Sequence, residues 1–362
     1  MKRLDIYLIK QFLNILFMSL MGFVLVFIIV DLIEHLDRFI DNSVPIPIVL
    51  KYYFFTLPWF VNIALPMATL IATVFSVGLM VKRNEWTAMK ATGISLYRIA
   101  LPLMIVGLGL SYISYQFDNN LVSLGNKKRF SIERKYQKKK SIRKSNILRD
   151  IFLQKKKSKH IALSRYDTIK KSANGITIIN LEKGILFQRI DAKSMSWIDS
   201  VSLWSISKYS IRSFNSSGME TQVNISVGDT LLSLSLKPED ISQGFKSPEE
   251  LNYSELTERI ALLKENGVKT IRWEIEQHFK ISFAFTNLIV ILFGLPLVVM
   301  KSKGGLSFGA GMSVFVIFGY YAFIKFGQSL GYKEVLDPLS AAWIGNVVFS
   351  IGGLILLFCA RK

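Results

Sequence analysis

The chain has 362 residues, 51% of them hydrophobic, with a mean hydropathy of +0.35 and a formal net charge of +19. That much apolar material excludes an ordinary soluble globular protein of this length and points to membrane insertion. The charge taken alone would suggest a nucleic-acid binder, but the placement of the basic residues argues against it, and a single cysteine, Cys359, excludes an internal disulfide framework.

Crossing a bilayer core of roughly 30 Å takes about 20 consecutive apolar residues in a helix. From the N-terminus, such stretches run over 12–33, 54–81 and 99–117 and, after a long polar stretch, over 279–300, 305–326 and 339–359. The first follows Lys2, Arg3 and Lys10 as the core of a signal peptide would. It is too long for that role and no A-x-A-like cleavage site follows, so it is expected to remain as a helix. The chain therefore divides into residues 1–118 with three helices, an extramembrane domain over 119–273, and residues 274–362 with three more. The predicted fold class is an α-helical polytopic membrane protein, three helices plus three, with an inserted all-β domain.

Basic residues in short loops favour the cytoplasm. Lys2, Arg3 and Lys10, then Lys82, Arg83 and Lys90, then Lys301 and Lys303, and finally Arg361 and Lys362 all fall on one side. The opposite short loops carry Asp37, Asp41, Glu334 and Asp337. Both termini are expected in the cytoplasm and the large domain outside. Much of the excess basic charge lies in 127–159, within the domain; long domains translocate largely regardless of charge. Two readings of that charge stand: contact with an anionic lipid or envelope polymer, or a solvated basic face.

Within the domain, 119–146 reads as an outward continuation of the third helix or a connector. Short runs over 147–153, 160–164, 175–180, 184–190, 203–207, 222–227 and 230–236 recur between turn-forming residues and read as strands of a sandwich or jelly roll. Ile176 and Ile178 alternate with Thr177 and Ile179, though imperfectly. A closing helix is expected with Ser247, Pro248 and Glu250 at N-cap, N1 and N3. Its Leu256, Ile260 and Leu263 share a face before Gly267, and it is expected to pack where the domain re-enters the membrane.

The search for catalysis is negative. The chain has no G-x-x-x-x-G-K-[ST] phosphate loop. His35, His160 and His278 stand apart from one another and from metal-spaced partners, so packing roles are expected for them, with no enzyme active site, no metal and no cofactor bound by this chain. The informative segment is the loop over about 82–95. It holds Arg83, good helix formers, Glu85, the small residues Ala88 and Ala91, and Gly93 as a helix stop. Small residues let another surface approach closely, and Glu85 could pair with a partner's arginine. A short interfacial connector is the plain alternative.

Here the sequence resembles a known family. Ala64-Leu65-Pro66-Met67-Ala68 and Glu85-x-x-Ala88-x-x-Ala91-x-Gly93-Ile94-Ser95 look like the permease subunits of the lipopolysaccharide exporter, the LptF/LptG family. So do Glu276-x-His278-x-Lys280-Ile281-Ser282 and the stretch with Pro338, Trp343 and Asn346. Residues 30–37 look more like the LptG type. The resemblance spans essentially the whole chain. It implies a periplasmic β-jellyroll domain, an inner-membrane location, and a heterodimer with an LptF-like permease. It further implies an LptB-like ATPase dimer that uses ATP and Mg, an LptC-like bitopic protein leading to a periplasmic bridge, lipopolysaccharide as cargo, and no nucleic acid.

The same resemblance makes 82–95 the coupling helix, with Arg83, Glu85, Ala88, Ala91 and Gly93 as ATPase-coupling residues. It places Asp31 and Glu34, near the outer end of the first helix, and Lys325 in the fifth at a lateral gate, with an ion pair or polar gate expected there. Lipid-phosphate binding by Lys325 is the sharper form, and ordinary snorkelling of helix ends is the alternative. Asp31 departs from relatives that carry a basic residue nearby. Two other classes stand beside an exporter permease: a non-transporting scaffold or sensor, and a permease for another envelope lipid or lipoprotein, whose usual layout of one helix, domain and three helices fits less well.

Overall fold

The structure is a computed structural model that describes residues 3–136, 147–155, 158–182, 184–215, 218–232, 234, 238, 241, 247–265, 269–300 and 305–360. Lys2, Gly267, Lys301, Lys303, Arg361 and Lys362, and the basic stretch 137–146, lie outside them. Two compact units divide the chain: a helical one formed by Met1–Glu133, Pro248–Leu256 and Ile271–Lys362, and a β-rich one formed by Arg134–Ser247 and Thr257–Thr270.

The helical unit begins with α1 (Arg3–Asp41), α2 (Ile46–Lys82), a short α3 (Glu85–Ala91) and α4 (Leu96–Phe117). Helix continues past Phe117 through a π-helical turn, Asp118–Val122, into α5 (Ser123–Tyr136), so the third apolar helix is prolonged as far as Tyr136. After the β-rich unit come α6 (Tyr253–Glu265), α7 (Ile271–Met300), α8 (Gly305–Tyr332) and α9 (Pro338–Cys359). Among the described residues six helices are long and apolar enough to cross a membrane. Most extend well beyond the apolar stretches in the sequence, because a helix does not stop where hydrophobicity stops. Polar ends continue it until a capping signal appears.

The caps are legible. Asp337 accepts a hydrogen bond from the Ser340 backbone N–H at 3.1 Å, ahead of Pro338 at the first turn of α9; the Ser340 side chain foremost, and then this backbone bond, hold the Asp337 carboxyl below its usual range. The helix closing the inserted segment starts later than expected. Pro248–Glu250 forms a single 3₁₀ turn, and α6 begins after Asn252. Asn252 Oδ1 accepts from the Glu255 N–H at 2.8 Å while Glu255 Oε2 accepts from the Asn252 N–H at 3.1 Å. This reciprocal box satisfies two orphan donors and so outcompetes Ser247 as the start. Leu256, Ile260 and Leu263 are buried, as their common face requires.

In the bundle, α2 and α7 are largely enclosed and α1 is the most exposed. Lipid tails are as apolar as leucine, so close helix approach depends on small residues. On α8, Gly327 and Gly331 face Ala341 of α9, and Gly345 of α9 faces Ile324 of α8. A Cβ on Gly327 would lie 2.6 Å from the Ala341 carbonyl oxygen, and one on Gly331 2.5 Å from the Ala341 Cβ. Buried polar groups are paired across helices: the Tyr320 hydroxyl donates to Asn346 and accepts from the Thr286 hydroxyl, and the Asn346 amide donates to the Ser282 carbonyl at 2.6 Å.

The strongest such link is an ion pair. Lys280 Nζ of α7 lies 2.7 Å from Asp118 Oδ2 at the π turn, and both side chains are largely buried. Asp118 Oδ1 accepts from Asn62 of α2 at 3.0 Å, and Ser114 donates to Asn62 at 3.3 Å. A few residues on, the Asn126 amide donates to the Glu249 carbonyl, Ser123 to the Leu251 carbonyl, and the Tyr253 N–H to Asn119. The segments by which the chain leaves and re-enters the helical unit are thus sewn together beside the pair.

The β-rich unit contains, among the described residues, six antiparallel strands: β1 (Ile147–Lys155), β2 (Lys159–Asp167), β3 (Ser172–Glu182), β4 (Ile185–Ile198), β5 (Leu203–Phe214) and β6 (Glu220–Leu232). Each pairs with its sequence neighbours in one sheet, the simplest topology for short turns. The inserted all-β domain is therefore present. Its strands form a meander, without the crossovers of a two-sheet sandwich among the described strands. Ile161, Ile178, Ile190 and Ile211 line up across four strands, and Leu163, Ile176, Ala192 and Tyr209 form the next row. Trp204 is fully buried among Tyr166, Trp197 and these rows. Gly228 and Asp229, expected to separate two strands, lie within β6. The register shifts between Ser207 and Tyr209, with Lys208 at φ 52°, so a bulge absorbs the irregularity.

Removing either charge of the Lys280–Asp118 pair leaves the other buried and unpaired. Lys280→Met alone, or Asp118→Leu alone, is expected to destabilise the protein by about 3–5 kcal/mol, and the double variant to recover much of that loss. Thermal unfolding in detergent checks this.

Candidate functional site

The 82–95 segment folds as a short helix set between two left-handed turns. Asn84 (φ 60°) turns the chain after α2, and Gly93 (φ 81°) ends α3. Asparagine and glycine are the residues that adopt this conformation at least cost. The Gly93 N–H bonds the Lys90 carbonyl and the Ile94 N–H the Met89 carbonyl, both at 3.0 Å, closing the helix with paired carbonyls.

One side of α3 is an anchor. Trp86, 6% exposed, enters a buried cluster with Leu8 and Phe12 of α1, Met80 of α2, and Leu96 and Ile99 of α4, with Met89 packed beside it. The other side is free: Thr87, Ala88, Lys90, Ala91 and Gly93 are exposed. Around the small residues Ala88, Ala91 and Gly93 another surface can approach closely, with Lys90 as the one long side chain among these exposed residues.

Glu85 is half-buried and already engaged. The Tyr7 hydroxyl of α1 reaches its two oxygens at 3.1 and 3.3 Å, and Arg83 stands 3.9 Å away. Nearby, Arg98 of α4 grips Asp5 of α1 through two nitrogens, at 2.7 and 3.0 Å. The N-terminal end of α1 is therefore fastened to both α3 and α4. The sequence reading named Arg83, Glu85, Ala88, Ala91 and Gly93, which the structure brings together on and around α3. It missed Trp86, Tyr7 and the Asp5–Arg98 pair. A tryptophan amid small and polar residues in so short a helix was the available signal for the first; the others depend on tertiary contact.

The residues assigned to a gate are not brought together within this chain. Asp31 is half-buried; His35 Nδ1 bonds the Asp31 backbone carbonyl at 3.0 Å and lies 3.4 Å from its carboxylate. Glu34 is exposed. Lys325 of α8 is exposed and donates to Gln328 at 3.1 Å. α1 packs on α2 and α4, whereas α8 packs on α2, α7 and α9. A direct Asp31–Lys325 pair inside one copy is therefore absent among the described residues, because their helices are not packed neighbours. Lys280, which the sequence marked only as part of a motif, instead carries the buried ion pair.

Trp86→Ala should loosen α3 by about 3–5 kcal/mol, the usual cost of emptying a buried tryptophan site. Hydrogen exchange would then show faster exchange across 85–94 with α7 unchanged, while Ala88→Ser on the exposed side leaves exchange as it was.

Comparison with characterised proteins finds no match. A family model described as lipopolysaccharide export system permease LptF/LptG matches residues 6–358. That match takes in both helical halves, α3 and the inserted sheet together. With six apolar helices and this match across nearly its whole length, the chain belongs to the LptF/LptG family, the permease of the lipopolysaccharide export system, and is a multi-pass inner-membrane protein.

Proposed function

We propose that this chain is the LptG-type half of a permease pair that extracts lipopolysaccharide from the inner membrane, driven by a partner ATPase dimer that docks on α3. The observation that carries this reading is the construction of α3: a small-residue outer face held rigidly by Trp86 and joined to α1 through Glu85 and Tyr7. A push on such a helix moves the elements it is anchored to instead of being lost in a loop. Both termini face the cytoplasm in this reading. Lys10, Lys82, Arg83 and Lys90 at the α3 end favour it, against Asp37, Asp41, Glu334 and Asp337 at the other. The β-rich unit then lies in the periplasm, as part of a bridge continued by an LptC-like protein.

Lipopolysaccharide has a phosphorylated head that is costly to desolvate and acyl chains that are costly to expose to water, so extraction needs a cavity with both characters. Glu34 and Lys325 are exposed on helices that cross the membrane. Charged side chains in such helices face a partner or a wet cavity. These residues belong to a seam shared with an LptF-like permease, α1 of one subunit opposing α8 of the other. Nucleotide binding and hydrolysis in the ATPase close and reopen that cavity through α3, with ATP and Mg held by the partner and none by this chain.

Glu85→Lys places a like charge against a partner's basic docking surface and removes the Tyr7 tie. ATPase copurification and coupled lipid extraction are expected to fall by about tenfold or more. Unchanged copurification and extraction would sink the assignment of α3.

A further inference from the structure

Between the inner ends of α1 and α2 lies a cavity of about 280 Å³. Its rim is polar and basic, formed by Tyr7, Lys10, Asn14 and Arg83, with Gln11 alongside; Ile15 and Leu79 supply an apolar floor. Lys10 is exposed, with no hydrogen-bond or ion-pair partner among the described residues. Among the described residues Arg83 has only the long contact to Glu85 at 3.9 Å. Gln11 donates through Nε2 to the Ser76 carbonyl at 3.2 Å, but its Oε1 is buried and receives no hydrogen bond.

The position is as informative as the composition. Lys10 immediately precedes the apolar run of α1, and Arg83 immediately follows that of α2, so both sit at headgroup level. Ile15 and Leu79 continue from there into the apolar depth. Two cations at the rim and an apolar floor match one ligand chemistry. That ligand has a phosphate and an acyl chain. Basic pockets between membrane helices bind anionic headgroups in this way.

We infer that this cavity is a binding site for an anionic glycerophospholipid of the adjoining leaflet. Its phosphate lies between Lys10 and Arg83, and its chain runs over Ile15 and Leu79. The site is distinct from the export cavity proposed above and holds a resident lipid, not cargo. A regulatory consequence follows that rests on the coupling role of α3, whereas binding itself does not. The phosphate competes with Glu85 for Arg83 and so changes the charge presented beside α3.

The test uses the full chain in its assembled complex, in phosphatidylcholine nanodiscs doped with phosphatidylglycerol, and reads by native mass spectrometry the lipid retained after release. Wild type is expected to retain phosphatidylglycerol in preference to phosphatidylcholine. Lys10→Glu, at an exposed position where folding is not at stake, lowers that retention by about tenfold or more, since each basic residue near an anionic surface contributes about 1 kcal/mol and reversal counts twice. Lys82→Glu, the same charge change outside the cavity, leaves it intact. Unaltered retention in Lys10→Glu, equal loss in both variants, or no preference for phosphatidylglycerol would overturn the site. So would a cross-link from Asn14→Cys to a partner protein filling the cavity. Because lipid retention is read without ATPase turnover, failure of the coupling assignment and failure of this site are separately visible.

Discussion

A lysine and an aspartate buried where the chain leaves and re-enters the helical unit set much of the architecture. Lys280 and Asp118 are 2.7 Å apart where α7 passes the π turn that extends α4, and Asn62 of α2 completes the link. Burying charges costs several kcal/mol per ion, so such a pair persists only where geometry and extra hydrogen bonds offset the cost. Around it, Asn119, Ser123 and Asn126 bond to the segment 249–253. A chain interrupted by more than a hundred residues is thereby closed at its own base. The two helical halves can act as one unit, whatever the inserted sheet does.

The opposite end of the helical unit is organised differently. There α1, α2, α3 and α4 meet around Trp86, with Tyr7–Glu85 and Asp5–Arg98 as polar ties. α1 is held firmly at this end, while its later half exposes Leu25, Ile29 and Ile33 as well as Glu34. Its far end is packed too, with Phe39 buried against Tyr52 and Tyr53 of α2, so α1 is joined to α3 at one end and to α2 at the other. The exposed charges on α1 and α8 then need an aqueous or protein environment supplied from outside the chain.

The helical count, the three-plus-three division and the β character of the insert were legible because each rests on a local pattern: apolar runs of spanning length, and short runs between turn residues. Gly93 as the end of α3 was legible for the same reason. The start of α6 was misplaced because two competing capping signals lie five residues apart, and only the reciprocal bonds of Asn252 and Glu255 decide between them. Gly228-Asp229 looked like a turn, yet cross-strand pairing with β5 carries the strand through it. Lys280, Tyr7 and Asp5 gave no local signal, since each partner lies more than seventy residues away in sequence. Glu34 and Lys325 were picked out as ionisable groups in membrane helices, but within one chain their helices do not pack together.

The claim on which the account turns is that the exposed charges of α1 and α8 line a seam shared with a second permease and occupied by lipopolysaccharide. A photo-crosslinking residue at Glu34 or at Lys325 in the assembled complex, compared with one at the exposed Phe358 of α9, tests it most directly. The account predicts adducts with the partner permease or lipopolysaccharide at 34 and 325, altered by nucleotide, and neither adduct at 358. Adducts at all three positions alike, or only with bulk phospholipid at 34 and 325, would contradict it.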